Sequence, residues 1–419
     1  MNEPLVIVGN GMAAQRLVKE LTSRAPGRFQ ITVIGEEPGL AYNRVLLSSL
    51  LAGDVSEADV ELEPRQWWDA RGVTLITGRR VTEIDTRGRF VRLRGGEKKH
   101  FSKLVLATGS EAIRLPLPGA DLAGVLTFRD KNDAAAIVSQ TKSGARAVVI
   151  GGGLLGLEAA YGLKKLGASV TVVHLMDRLM ERQLDGPAAA MLRSALEQRG
   201  IDVVLNADSG AIQGRKKAGG LRLKDGRMID ADMVIMAVGI KPNAALARLA
   251  NIAVNRGVVV TDYMETSVRG IYALGECAEH RGTCYGLVEP AYEQARVLAQ
   301  HLAGEAATYQ GSLLSTNLKV SGVGVFSAGD FTGAPGTQSI VLKDPQRGAY
   351  RKLVLSGNTL AGAVLVGDTH DALWYLDLIR SRTPIGPERD GLIFGRAFCK
   401  PPVAVNIPSP CVPQHAAAA

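Results

Sequence analysis

Sulfur is scarce in this chain. Four cysteines stand at Cys277, Cys284, Cys399 and Cys411, and no two form a Cys-x-x-Cys pair. That spacing excludes a small disulfide framework and a closed zinc site, and offers no set of four close thiolates for an iron–sulfur cluster. It fits a reducing, cytoplasmic setting, with Cys277 and Cys284 read as free thiols. Aromatic residues make up 5% of the chain, and none are laced through a basic segment in the way nucleic-acid binding requires. Long apolar runs are missing too. The longest, across residues 145–163, is broken by glycines and carries Glu158, so it reads as a buried parallel strand leading into a helix, not a membrane span. The first apolar strand starts almost at Met1, and no signal peptide is expected ahead of it. A net charge of +8 is spread thinly along the chain.

Glycine, by contrast, is plentiful, and two clusters of it come directly after apolar strands. Near the start the chain reads LVIVGNGMAAQRL, and at 148–160 it reads VVIGGGLLGLEAA. The order of elements beyond each cluster also repeats. The first copy continues through a helix with Leu17, Val18 and Leu21 on one face, then the strand ITVIGEE, then a hairpin run with Gly95-Gly96 at its turn, closing on ATG at 107–109. The second continues through a helix with Leu163 and Leu166, the strand VTVVHLM, a hairpin with Asp225-Gly226 at its turn, and AVG at 237–239. One glycine cluster alone is weak; two copies of the same order predict an α/β protein with two Rossmann-like dinucleotide-binding domains.

Each glycine has a separate task. Gly9 and Gly151 permit the sharp turn, while Gly11 and Gly153 let the backbone approach a pyrophosphate; Ala14 and Gly156 are small enough for close helix–strand packing. The helix starts, including Leu154 and Leu155 in the second copy, offer unpaired N–H groups to an anion. Glu36 ends the second strand of the first copy, where a carboxylate accepts from ribose hydroxyls. His174 is matched to it in the second copy, with Arg178 nearby as either a phosphate contact or a solvated helix arginine. NADH is favoured there, with NADPH left open.

The layout resembles the glutathione-reductase-like flavoproteins, whose third motif is present as TSVRGIYALGECA. The resemblance implies FAD in the first site and NAD(P)H in a second, inserted domain. It assigns Gly275 and Glu276 to the FAD ribitol, with Glu276 standing where Asp is usual. It places Pro290 and Ala291 at a helix start facing the flavin, and adds Val81, Thr108 and Gly109 to the FAD set and Val238 and Gly239 to the NAD(P)H set. Arg44 is either a contact of the FAD diphosphate or a surface arginine. Glu158 either positions the nicotinamide or simply favours the helix dipole. No general acid or base is expected, because hydride transfer needs only close placement of the two cofactors.

More narrowly, YNRVLLSS, MERQLD, IYALGECA, LKVSGVGVFSAGD and GAVLVGDT resemble the flavin-binding part of NADH-dependent assimilatory nitrite reductase large subunits. They also resemble stand-alone flavin subunits of assimilatory nitrate reductases. Thiol-dependent relatives carry cysteine in the segment AYNRVLLSSLLAG, and this chain has none there. Electrons are therefore expected to leave the flavin directly for a redox protein, either a nitrate or nitrite reductase or a ferredoxin-type iron–sulfur protein, attracted as an acidic partner to a basic surface. A ferredoxin or rubredoxin reductase, or an oxidase or diaphorase, are the rival readings. After about Ala306 the pattern changes to strands, LKVSGVGVF, SIVLKD, YRKLVLS and LAGAVLVGD, with Gly357-Asn358 at a hairpin turn and a helix carrying Leu373, Leu376 and Ile379 closing the domain. The expected domains are a discontinuous FAD-binding domain (1–115 and 240–305), an NAD(P)H-binding domain (116–239), a C-terminal α+β interface domain (306–395) that could support a homodimer, and a flexible tail (396–419).

Overall fold

Val8 and Ile150 end the two strands that carry the glycine clusters, and each strand lies at the centre of its own parallel sheet. In this computed structural model, which describes residues 2–320, 322–386 and 389–399, the first sheet runs Ile271–Ala273, Lys103–Leu106, Glu3–Val8, Phe29–Ile34, Thr74–Ile76 across its width. The second runs Ile201–Val204, Ser169–Val173, Arg146–Ile150, Met233–Met236, Val125–Thr127. Every neighbouring pair in both is parallel. Parallel strands are covered on both faces, which is why they read as unbroken apolar runs: Leu5, Ile7, Val148 and Val149 are all fully buried.

The second sheet is inserted into the first unit. The chain leaves along Ser110–Ala112 and returns along Ile240–Pro242, and these two strands pair antiparallel as a short ribbon. The three turns read from glycine, alone or with aspartate or asparagine, each join paired antiparallel strands: Gly95-Gly96 between Phe90–Leu93 and Lys98–His100, Asp225-Gly226 between Ala218–Leu223 and Met228–Asp230, and Gly357-Asn358 between Ala349–Ser356 and Thr359–Val366.

The C-terminal unit is a five-stranded antiparallel sheet closed by the helix Ala372–Ser381. Two details differ from expectation. LKVSGVGVF, read as one strand, belongs to two, Ser315–Val320 and Val323–Gly329, folded back on each other. Leu373, read with Leu376 and Ile379 on the closing helix, is 63% exposed; the helix turns Tyr375 inward instead. The sheet docks on the inserted unit through Tyr350, whose hydroxyl donates to Asp185 Oδ2 at 2.6 Å. Asp185 also caps the helix Gly186–Glu197 through Ala188 N at 3.1 Å. Among the described residues no helix is long and apolar enough to cross a membrane. Cys411 and most of the segment expected as a flexible tail lie outside the described residues.

Candidate functional site

The two glycine turns are built alike. Gly9 has φ +117°, and a Cβ there would lie 2.0 Å from the Ala107 carbonyl oxygen. Gly151 has φ +122°, and its Cβ would lie 2.2 Å from the Ala237 oxygen. ATG and AVG therefore close the same side of the two loops, with Thr108 answering to Val238 and Gly109 (φ +64°) to Gly239 (φ +121°). Thr108 also donates through Oγ1 to Asn243 O at 2.6 Å, tying the loop to the residue just past the returning strand of the ribbon. At Gly156 a methyl would come within 2.0 Å of Gly151 O, whereas Ala14 is accommodated fully buried.

Gly11 and Gly153 face open space: a Cβ on either would meet nothing within 4 Å. They cap the helices Met12–Arg24 and Leu154–Lys165 without any side-chain cap. The opening N–H groups, including those of half-buried Leu154 and Leu155, are left for an external acceptor. Beside the first cradle, Asn10 Oδ1 is buried and has no hydrogen-bond partner among the described residues. Open cradles with uncapped helix starts and an orphaned polar atom suit two dinucleotides.

Backbone hydrogen bonds correct one expectation. Gly9 N donates to Ile34 O and Gly151 N to Val173 O, both at 2.8 Å. With Ile34 and Val173 thus equivalent, His174 coincides with Gly35, and the counterpart of Glu36 is Leu175. Glu36 is largely exposed, 3.5 Å from Arg80; Leu175 is 60% exposed. His174 is buried and both its ring nitrogens are engaged within the protein, Nδ1 with Gly152 N at 3.0 Å and Nε2 with Glu181 Oε2 at 3.1 Å. Arg178 pairs with its neighbour Asp177 at 3.0 Å.

A third group gathers around Glu276. Its carboxylate accepts from Ser110 Oγ at 2.8 Å and forms a close ion pair with Arg129. Arg129 carries no signal in the sequence: it lies in the inserted unit, 147 residues from its partner. Arg44 joins the same cluster, with Nη1 donating to Arg129 O at 3.1 Å and Nη2 2.5 Å from Glu37 Oε1. It also lies over the Tyr42 ring, so its guanidinium is engaged within the protein. Tyr42 donates to Glu37 Oε2 at 2.9 Å, and burial pushes its phenol well above the ordinary range.

Gly275 (φ +77°) sits between the two helices of this unit, where a Cβ would be 3.1 Å from Ala13 Cβ and 3.9 Å from Ala291 Cβ. Its N–H donates to Gln294 Oε1 at 2.7 Å. The helix Val288–Ala303 lacks a side-chain cap and buries Pro290 and Ala291, so its start is brought against the first glycine helix. Val81 is buried at the head of the strand Val81–Asp85, next to the Arg80 that meets Glu36. Glu158 lies one turn into the second glycine helix, 8% exposed, and desolvation lifts its carboxyl to about 7.

Two linked parallel sheets with paired glycine cradles place the chain. It matches the pyridine nucleotide-disulphide oxidoreductase family over residues 3–301 and the rubredoxin NAD+ reductase C-terminal domain over 315–383. The chain belongs to the pyridine nucleotide-disulphide oxidoreductase family. Members of this family use FAD and NAD(P)H, and the first and second cradles are the parts of this oxidoreductase that would hold them. It is 48% identical over 382 residues to the nitrite reductase [NAD(P)H] of Bacillus subtilis, covering 91% of this chain and 48% of that protein. It is 44% identical to the assimilatory nitrate reductase electron transfer subunit of the same organism, covering 93% and 52%. The chain thus spans about half the length of these relatives. The NADH-rubredoxin oxidoreductase of Clostridium acetobutylicum is 31% identical, with 87% and 91% covered. Among solved structures, a covalent putidaredoxin reductase–putidaredoxin complex is similar with a TM-score of 0.85 at 26% identity, covering 94% and 96%.

Arg129 gives a direct check on the first cradle. In Arg129→Ala the Glu276 carboxylate loses its ion pair and keeps the Ser110 hydrogen bond, so the acid expected at the ribitol is no longer held in place. FAD affinity is expected to fall at least tenfold, measured by titrating apoprotein and following flavin fluorescence. Affinity within twofold of wild type would remove Arg129 from the site.

Proposed function

We propose that this chain takes electrons from NADH, holds them on FAD and delivers them to a separate redox protein, as the electron-transfer component of assimilatory nitrate or nitrite reduction. The carrying observation is the segment 41–53. It packs Arg44 and Tyr42, not sulfur, onto the Arg129–Glu276 cluster, so the FAD side offers no thiol in that segment to receive electrons. When bound, the nicotinamide and flavin supply hydride transfer and one-electron release. The protein's part is placement: uncapped helix starts at Gly11 and Gly153 for the diphosphates, Glu276 and Arg129 at the ribitol side, and the Val288–Ala303 helix start at the flavin's far end. Leu175 neither repels a 2′-phosphate nor accepts from ribose hydroxyls, so NADPH is expected to serve less well than NADH only by a modest factor. The Bacillus subtilis relatives named for nitrite and nitrate reduction support the assignment, and a net charge of +8 suits an acidic acceptor. A cytoplasmic location goes with this role.

A second reading, NADH-dependent ferredoxin or rubredoxin reductase, is favoured by the C-terminal match and by the similarity to the clostridial enzyme over most of its length. The two separate in one experiment. The holoprotein is reduced anaerobically with NADH or NADPH and mixed in turn with an assimilatory nitrate reductase, a ferredoxin, a rubredoxin and oxygen. Fastest reoxidation by the nitrate reductase is the expected result; fastest reoxidation by oxygen would overturn electron delivery altogether.

A further inference from the structure

We propose that His174 is a positioning residue for the second glycine loop: it holds Gly152 by its backbone so that the N–H groups just beyond it stay presented to the pyridine nucleotide. The inference rests on the reading above, in which this loop receives NAD(P)H, and goes beyond it by assigning how the loop is kept in shape.

Three contacts carry it. The buried Gly152 N–H points at His174 Nδ1 at 3.0 Å. An N–H can only donate, so Nδ1 accepts and bears no proton; the ring proton then sits on Nε2, which donates to Glu181 Oε2 at 3.1 Å. The carbonyl of the same glycine accepts from Met180 N at 3.0 Å. Both backbone groups of Gly152 are therefore tied to the segment 174–181, on one side of the loop, while Gly151 is closed against Ala237 on the other. Gly153, the next residue, faces open space. A side chain at Gly152 has no room: its Cβ would lie 2.7 Å from both His174 Cγ and Leu179 Cδ2.

The first copy solves the same problem with the bulk exchanged. There Asn10 stands where Gly152 is, and Gly35 stands where His174 is. A Cβ on Gly35 would lie 2.7 Å from Asn10 Cβ. The first loop is wedged by its own side chain, which reaches Gly39 O at 3.3 Å; the second is wedged by a side chain from the neighbouring strand. With its two nitrogens spent on Gly152 and Glu181, the imidazole acts on the nucleotide through the loop, not by touching ribose. Leu175 takes the ribose-facing place.

The test uses the FAD-loaded protein. Wild type, His174→Leu, His174→Asn and Glu181→Ala are mixed anaerobically with increasing NADH, and the dependence of the reduction rate on concentration separates apparent Kd from limiting rate. Amide hydrogen exchange is measured in a peptide covering the loop. In H174L the Gly152 N–H loses its acceptor inside a buried site, so the apparent Kd rises at least tenfold, loop exchange accelerates, and the limiting rate and flavin content stay within threefold of wild type. H174N restores binding to within about threefold, because Asn Oδ1 falls where Nδ1 was. E181A gives an intermediate rise of about threefold, and it reports on the same link should H174L fold poorly. The proposal is overturned if H174L matches wild type in Kd and in exchange, or if H174N is as impaired as H174L. Wild type that binds no NADH would instead sink the functional reading, and faster Gly152 exchange in H174L would still stand as support for the tether.

Discussion

Gly151→Ala yields a yellow protein that NADH no longer reduces. The residue has φ +122°, a conformation that costs a side-chain-bearing residue about 1–2 kcal/mol or more, and its added Cβ would sit 2.2 Å from a backbone oxygen of Ala237. Backbone cannot swing aside as a flexible side chain can. The strand Arg146–Ile150 or the strand Met233–Met236 must shift, and the N–H groups at Gly153 move off target. Placement errors of about 1 Å cost on the order of a hundredfold, so kcat/KM for NADH is expected to fall at least that far. The first sheet is a separate parallel sheet joined by the ribbon of Ser110–Ala112 and Ile240–Pro242, so flavin stoichiometry should stay near wild type. Gly9→Ala reverses the outcome: its Cβ meets Ala107 O at 2.0 Å, and the protein should be purified without bound FAD while still binding NADH. Absorbance at the flavin band and an NADH titration of each variant give the double comparison. Equal loss of both cofactors in both variants would mean that the two cradles are not independently assembled.

How much of this site is legible in residues alone depends on how local each signal is. The glycine turns are local: a few residues after a strand specify both the turn and the open helix start, and the chain announces them twice. The hairpins at Gly95-Gly96, Asp225-Gly226 and Gly357-Asn358 are equally local. The matching of His174 to Glu36 fails because it seeks a polar residue at the strand end. Register, fixed by Gly9 N to Ile34 O and Gly151 N to Val173 O, puts an apolar residue there instead. Arg129 is invisible for a different reason. Its partner Glu276 is far along the chain, and only the fold of the inserted unit brings the two together. Arg44 carries the right chemistry with two readings, and its burial over Tyr42 beside Glu37 is a tertiary fact no spacing reveals. Helical period alone turns Leu373 inward, but a short helix on one sheet face buries a narrower stripe than its apolar residues would fill.

Glu158→Gln should make the protein more stable above neutral pH and change it little in mild acid. The carboxyl is 8% exposed, and burial lifts it from 4.5 to about 7. Between those values the native state keeps a proton that the unfolded chain has released, so ionising Glu158 opposes folding. The sign is therefore that of a raised acid: its contribution is fully favourable below about 4.5 and is lost as pH rises through about 7. From pH 5 to pH 8 that loss is about 2 kcal/mol, which E158Q, being neutral throughout, does not suffer. Thermal unfolding of the holoprotein without nucleotide reads it out: the Tm of E158Q minus that of wild type should grow by about 2 °C between pH 5 and pH 8. A difference that does not grow with pH means that some cation or donor compensates the ionised carboxylate. Glu158 would then be held charged at neutral pH, and its place one turn into the NAD(P)H-side helix would put a fixed negative charge next to the second cradle, where the buried neutral acid puts none.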